Sequence, residues 1–473
     1  MENFFKLKEN NTTVRRELVA GLTTFFTMAY IINLNPNLLT GFDVGSSLWN
    51  GVFLATCISA CIGTLCMAFF ANKPFAMAPG MGTNSFFAVV VANIVTITGA
   101  SYVESFQTAL CIIFIEGVLF LILTFLNVRE MIVEAIPLSI RLGISPAIGI
   151  MLMNIGFGSN VGVYDENGNA YYVMRDFFGA LTPSTVEASM GPEAYRVMVL
   201  TVVTIFVGLF AIIALSRKIR GGVLAGMLIA SIVYWAGEAI FLGTNPFEAL
   251  MSASWVPPFA DMAQTTLFKM DFSSLPEMGW LTLITVIITY CIIDMFDTIG
   301  TLVGTAQRAN MLDKDGNMPN MKQALAADAV GTIVGSVTGT STVTTFIESA
   351  SGVEAGGRTG LTAIVTAILF GLSIFLAPIA AIIPAAATSS VLIYVGILML
   401  SGLKNMNFED LTDLAPIFVM LIAMPISGSI GNAIGLALIT YTVIKFLLGK
   451  AKEISPLTLV LSVIFLVKFF LAV

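Results

Sequence analysis

Long, mostly apolar runs recur along the chain, separated by short polar or glycine-rich stretches. They cover about residues 18–38, 49–71, 75–96, 105–126, 142–158, 194–215, 220–242, 279–306, 321–338, 341–355, 359–378, 384–402, 410–425, 428–448 and 454–472. A helix needs roughly 20 apolar residues to cross the hydrocarbon core, so repeated runs of this length predict an all-α polytopic membrane protein. The stretch 128–141 mixes charges with apolar residues and reads as an interfacial amphipathic helix.

Two runs are interrupted. "FAMAPGMGTNSFFAVVV" (75–91) and "GTSTVTTFIESASG" (339–352) each begin with Gly, Pro, Ser or Thr where a spanning helix should run. They are third and tenth in the count, seven apart. A repeat unit with an odd number of spans reverses its orientation, so seven plus seven predicts two inverted repeats, and broken segments at matching positions point to a midplane binding site. The plainer reading of both breaks is a packing kink. In the second, the β-branched run Thr342, Val343, Thr344, Thr345 favours extended backbone, with a half-helix expected to start near Phe346.

Composition sharpens this. Of 473 residues 57% are hydrophobic and 11% charged, with mean hydropathy +0.92; a soluble domain is about one quarter charged. The net charge of -7 is spread over short loops, and no basic stripe predicts a nucleic-acid partner. Threading the runs from a cytoplasmic N-terminus collects Lys6, Lys8, Arg15, Arg16, Lys73, Arg129, Arg141, Arg217, Lys218, Arg220, Arg308, Lys314, Lys322, Arg358, Lys404, Lys450 and Lys452 on one side. By the positive-inside rule that side is cytoplasmic, with the protein expected in the plasma membrane. Two longer external loops, 159–193 and 243–278, obey the rule weakly. The N-terminus lacks a small-residue cleavage site and reads as free of a removable signal. All five cysteines (Cys57, Cys61, Cys66, Cys111, Cys291) lie in apolar runs and read as small buried hydrophobes, so neither disulfide nor metal is expected.

A charge at the bilayer centre costs about 2.5–3.5 kcal/mol on insertion scales, so each one needs a reason. Glu348 lies in the second interrupted run, while Asp294 and Asp297 lie in "LTLITVIITYCIIDMFDTIGTLVGTAQ". Their spacing of three puts the two aspartates on neighbouring parts of one face, with Thr301 a turn beyond Asp297. Asp297 and Glu348 read as ligand-binding groups; the rival reading is a structural pair satisfied by hydroxyls and backbone. Asp294 reads as site contact or packing, Glu116 as structural or facing a helix partner, and Asp328 and Glu238 as helix-end or contact residues. The chain contains no histidine, so any proton-handling group must be a carboxylate. Carboxylates accept hydrogen bonds, and half-helix starts expose N–H donors; a flat heterocycle carrying both N–H groups and acceptors matches them. Phe86, Phe87, Phe296 and Phe346 flank the breaks and offer ring faces.

Four motifs in order, "LTTFFTMAYIINLNPNLL", "APGMGTNSFF", "DMFDTIGTLVGTA" and "GTSTVTTFIESASGVEAGGRTGL", resemble the nucleobase/ascorbate (xanthine/uracil permease) family, in its AzgA-like branch of adenine, guanine and hypoxanthine permeases. The resemblance covers nearly the whole chain. It implies fourteen spans in two inverted repeats of seven, with short strands opening spans 3 and 10. A core domain would comprise spans 1–4 (1–126) and 8–11 (279–378). A gate domain, commonly the homodimer interface, would comprise spans 5–7 (127–242) and 12–14 (379–448), with an extracellular loop at 243–278. Implied activity is import of a purine base by proton symport and alternating access, with no cofactor. Asp297 and Glu348 fall on the family's base-binding acids and serve also in proton coupling, where Asp294 is a further candidate. Asn84 falls on the polar position of span 3, and Thr345, Ser349, Thr301 and Phe346 would shape the pocket.

Two departures matter. Uracil-type relatives often carry histidine where Thr301 stands, which favours the purine branch over the alternative uracil or xanthine permease. The segment 449–473 exceeds fourteen spans and either crosses the membrane or lies along its interface. An anion transporter of the same fold should present neutral or basic residues at the breaks. An intramembrane aspartyl protease should carry a Gly-x-Gly-Asp motif, which is absent.

Overall fold

The computed structural model describes residues 2–126, 137–157, 183–219, 221–245, 247–308, 311, 318–427 and 430–471. Its helices are α1 (Val14–Met28), α2 (Ile31–Leu39), α3 (Ser47–Cys66), α4 (Met81–Thr98), α5 (Tyr102–Phe125), α6 (Leu138–Phe157), α7 (Pro183–Ser216) and α8 (Gly222–Gly237) in the first half of the chain. The second half supplies α9 (Trp280–Arg308), α10 (Met321–Thr338), α11 (Ser349–Glu354), α12 (Gly360–Leu372), α13 (Ala385–Met399), α14 (Leu411–Ser427), α15 (Ile430–Leu447) and α16 (Pro456–Leu471). Two strands, β1 (Met77–Pro79) and β2 (Val343–Thr345), precede α4 and α11.

Among the described residues, eleven helices are long and apolar enough to cross a membrane. Of the fourteen expected segments, α10 is too polar, and α11 and α14 are too short, to be among them. Large apolar side chains such as Phe210, Ile232, Ile422 and Val460 are exposed on the bundle's outside, the surface that lipid rather than water suits.

Several boundaries differ from the sequence reading. Residues 127–136 of the expected interfacial helix lie outside the described residues, and 138–141 are instead the first turn of α6. Helix α7 starts at Pro183, so the helical segment extends into the stretch read as an external loop. The second loop folds into short helices, and its Phe268 N–H donates to Val337 O at 2.9 Å, tying it to the end of α10. The half-helix of the second break begins at Ser349, three residues later than expected, because the Phe346 N–H is still engaged by Ala76 O at 3.0 Å.

The strands run antiparallel, with Met77 opposite Thr345, Ala78 opposite Thr344 and Pro79 opposite Val343. An antiparallel pair carries a local two-fold axis, and the contacts around it recur under the same exchange. Helix α3 packs on α12, and α10 packs on α5; α1 packs on α12, and α9 on α5; α6 packs on α14, and α13 on α7. The strand starts are held alike. Thr64 Oγ1 accepts from the Met77 N–H at 2.9 Å, and Thr332 Oγ1 accepts from the Val343 N–H at 3.2 Å. Each threonine follows a glycine, Gly63 or Gly331, whose added Cβ would meet Val343 Cγ1 at 3.1 or 3.2 Å.

A second crossing is tighter. A Cβ on Gly149 of α6 would sit 2.5 Å from Gly396 O, and one on Gly396 of α13 would sit 2.5 Å from Gly149 O. Backbone cannot yield as a side chain can, so Gly396→Ala should push α6 and α13 apart and cost about 1–3 kcal/mol. A lower unfolding midpoint of the purified variant in detergent checks this; an unchanged midpoint contradicts it.

Candidate substrate site

The interrupted segments place two loaded turns near the middle of the bundle. After β2 the chain turns through Ile347 and Glu348 before α11 starts, so the Glu348 carboxylate projects from a non-helical joint. The first membrane segment has a matching joint at Ala29–Tyr30, between α1 and α2. From it Tyr30 donates its hydroxyl to Glu348 Oε1 at 2.6 Å, a short charge-assisted bond. Tyr394 of α13 is close enough to Tyr30 to interact with it electrostatically. Thr27 Oγ1 bonds Ser351 Oγ at 2.8 Å, and Ser351 donates to Glu348 O at 2.7 Å, which fixes the turn.

Asp297 comes from α9, which touches both β2 and α11. It lies within range of the charges of Asp328 and of Glu348. Asp328, read from the sequence as a helix-end or contact residue, is the latter: it is fully buried in the body of α10 and accepts from Thr298 Oγ1 at 2.8 Å. The site thus gathers carboxylates from α9, α10 and the turn before α11. When all are ionised away from bulk water they repel, and a proton on any one of them relieves that repulsion.

The remaining candidates divide. Thr345 and Thr342 present buried hydroxyls without hydrogen-bond partners among the described residues. Asn84, fully buried near the start of α4, accepts from the Ser341 hydroxyl across the two interrupted segments. Ser349 is committed to structure, since its Oγ accepts from the Ala76 N–H at 3.0 Å. Thr301 is nearly buried, and its carbonyl accepts from Thr305. Phe346 is buried at the end of β2, and Asp294 is buried in α9. Phe86 packs on Tyr290 with ring centroids 4.6 Å apart, and Phe87 packs on Phe106 at 5.0 Å. The Phe296 side chain lies outside the described ones. Among the described residues no group of His, Cys, Asp and Glu could hold a metal ion.

Sequence reading missed Tyr30, Ser341 and Tyr290, which sit inside apolar or hydroxyl-rich runs. The repeated Gly-Thr pair at 63–64 and 331–332 was a readable signal for the strand clamps.

Such a bundle, with paired breaks and buried acids, is a membrane permease by architecture. A permease family model matches residues 15–435. The adenine permease AdeP of Escherichia coli is 37% identical over 99% of this chain and 95% of its own. The guanine/hypoxanthine permease PbuO of Bacillus subtilis is 34% identical over 99% of this chain and 100% of its own. Among solved structures, the transmembrane domain of the cyanobacterial bicarbonate transporter BicA superposes with TM-score 0.59 at 15% identity, covering 89% of this chain and 97% of that one. The chain belongs to the nucleobase/ascorbate transporter family.

Proposed function

We propose that this protein imports purine nucleobases (guanine, hypoxanthine or adenine) by proton symport with alternating access. The observation that carries the reading is Glu348, held on a broken segment by Tyr30 and facing Asp297 from the other interacting helix. The base lies beside the paired strands β1 and β2, where the two interrupted segments meet, its N–H groups donating to Glu348 and Asp297, with Asn84 and Thr345 meeting its other edge. Ser349, Thr301 and Phe346 shape the pocket through the backbone and walls they hold. Protons ride on Asp297 and Glu348, with Asp294 as a further candidate, and relieve the repulsion among the acids.

The core (1–126 and 279–378) moves against the gate (127–242 and 379–448), the two halves being inverted repeats of seven segments. Recurrence of the helix contacts about the strand pair supports this division. The N-terminus is cytoplasmic, the plasma membrane is the site of action, and a homodimer forms through the gate. The fold is shared with a bicarbonate transporter, yet acids at the breaks repel anions and favour a neutral base.

Uptake of labelled hypoxanthine in cells lacking their own purine permeases tests the reading. Unlabelled guanine, hypoxanthine or adenine should compete, with xanthine and uracil weaker, and collapse of the proton gradient should stop accumulation. Competition by uracil alone, or accumulation driven by sodium, rejects the corresponding part.

A further inference from the structure

Away from the acids, at the end of the bundle that carries the N-terminal segment, a cavity of about 680 Å³ opens to solvent. Lys6, Lys73 and Arg358 line it, with Glu9 and Asn11. Glu9 is already paired with Lys6 at 3.3 Å. Arg358 uses one guanidinium nitrogen, Nη1, on the carbonyls of Val353 and Gly357, both at 2.7 Å, and its other donors carry no hydrogen bond.

Lys73 is the informative wall. It is only 8% exposed, its ammonium reaches the cavity, and among the described residues it makes neither an ion pair nor a hydrogen bond. Buried charges in folded proteins are paired, because an isolated ammonium loses its hydration without return; burial accordingly holds the Lys73 amine below its ordinary range. An ammonium kept at such a position, at the rim of a cavity with a surplus of cations, lacks the anion that would complete it. Hydrophobic packing alone would be served better by methionine.

We propose that this cavity is a binding site for a phosphate-bearing metabolite of nucleoside monophosphate size, with Lys73 and Lys6 engaging the phosphate and the Asn11 amide facing the base. The volume suits a small ligand, and an amide offers the donor and acceptor together that a base edge requires. The choice of a purine nucleotide rests on the proposed transport of purine bases; the phosphate site does not. Its walls come from the N-terminal segment, the α3–β1 link, Met311, Pro319 and Asn320 between α9 and α10, and the α11–α12 link, so an occupant would bind these four together. A nucleotide built from imported base would then bind the importer from the product side.

The test uses the purified full-length protein in nanodiscs of neutral phosphatidylcholine, read by thermal unfolding. Guanosine monophosphate at saturation should raise the midpoint by about 3 °C or more, inorganic phosphate by less, and Lys73→Met should abolish both shifts. The ligand-free variant should unfold at the same temperature as the parent or higher, since Lys73 makes no bond that the substitution breaks. Should Lys73→Met fail to fold, retention of labelled nucleotide by Lys6→Gln, expected to fall at least tenfold, takes its place. No shift with either anion, or an equal guanosine monophosphate shift in Lys73→Met, overturns the proposal; free guanine, which binds at the acids, should shift the parent and Lys73→Met alike. A Lys73-dependent shift produced only by anionic lipid also overturns it, and would assign the site to a headgroup. Because no transport step enters, loss of base uptake in other variants leaves this result untouched.

Discussion

Glu348→Gln abolishes uptake of labelled hypoxanthine and guanine while the protein still reaches the membrane. The substitution keeps size and keeps one oxygen for the Tyr30 hydroxyl, which donates to Oε1 at 2.6 Å. It replaces the other acceptor oxygen with a donor, so a ligand N–H meets an N–H. It also removes the only charge on the turn between β2 and α11, and with it one place for a coupling proton. A site built to hydrogen-bond a partner discriminates steeply when one group is mismatched, so a loss of about 100-fold or more in uptake is expected, near 3 kcal/mol at about 1.4 kcal/mol per decade. Tyr30→Phe should lose less, about tenfold, because it deletes one charge-assisted bond and leaves the carboxylate. Normal uptake by Glu348→Gln at normal surface expression would remove Glu348 from the site. A tyrosine variant as inactive as the glutamine variant would instead make Tyr30 a direct ligand.

Much of this site was legible in the sequence because membrane chemistry punishes exceptions. An acid inside an apolar run costs too much to be incidental, and so Asp297 and Glu348 stood out from their surroundings. The interruptions at 75–80 and 339–345 stood out for the same reason, since unpaired backbone in hydrocarbon needs a partner. What stayed hidden depends on partners far along the chain. Tyr30 in an apolar run looks like packing until a turn more than 300 residues later brings Glu348 to its hydroxyl. Phe346 looked like a helix start because local propensity ends there, whereas its N–H continues the ladder to Ala76. Asp328 follows Lys322 in a weakly apolar segment and so resembled a helix-end or contact charge; packing of α10 against α3 and α5 buries it completely. Periodicity reports the neighbours that a residue has along its own helix; it carries no record of what the other half of the molecule sets against it.

Glu17 is the strongest such case, and its replacement should be the most damaging to folding. It follows Arg15 and Arg16 near the N-terminus, just before the first apolar run. In the structure it is fully buried. Its carboxylate accepts from the backbone N–H of Arg358 at 2.9 Å, Thr359 at 3.3 Å and Thr362 at 3.1 Å, and from the hydroxyls of Thr359 at 2.9 Å and Thr362 at 2.7 Å. The first N–H groups of a helix have no partner within it, and here the first three of α12 are met from outside it. Asn72 Oδ1 takes the Gly360 N–H at 2.9 Å, Thr359 Oγ1 takes the Leu361 N–H at 3.3 Å, and Glu17 takes that of Thr362. An anion at that end is further favoured by the helix dipole. The contact is close on both sides, for a Cβ on Gly21, one turn along α1, would lie 2.6 Å from Thr362 O. Glu17→Ala leaves these donors buried without an acceptor, at a cost of about 3–5 kcal/mol. Glu17→Gln retains one oxygen and should cost about half as much. Unfolding midpoints of the purified proteins rank the three, parent above glutamine above alanine. Glu17 makes no contact with Glu348 or Asp297, so surviving Glu17→Gln protein should still bind hypoxanthine with near-parental affinity. A glutamine variant as stable as the parent would show that hydroxyl and amide donors of α12 find acceptors without the charge, and the anchoring of α1 to α12 would then rest on packing alone.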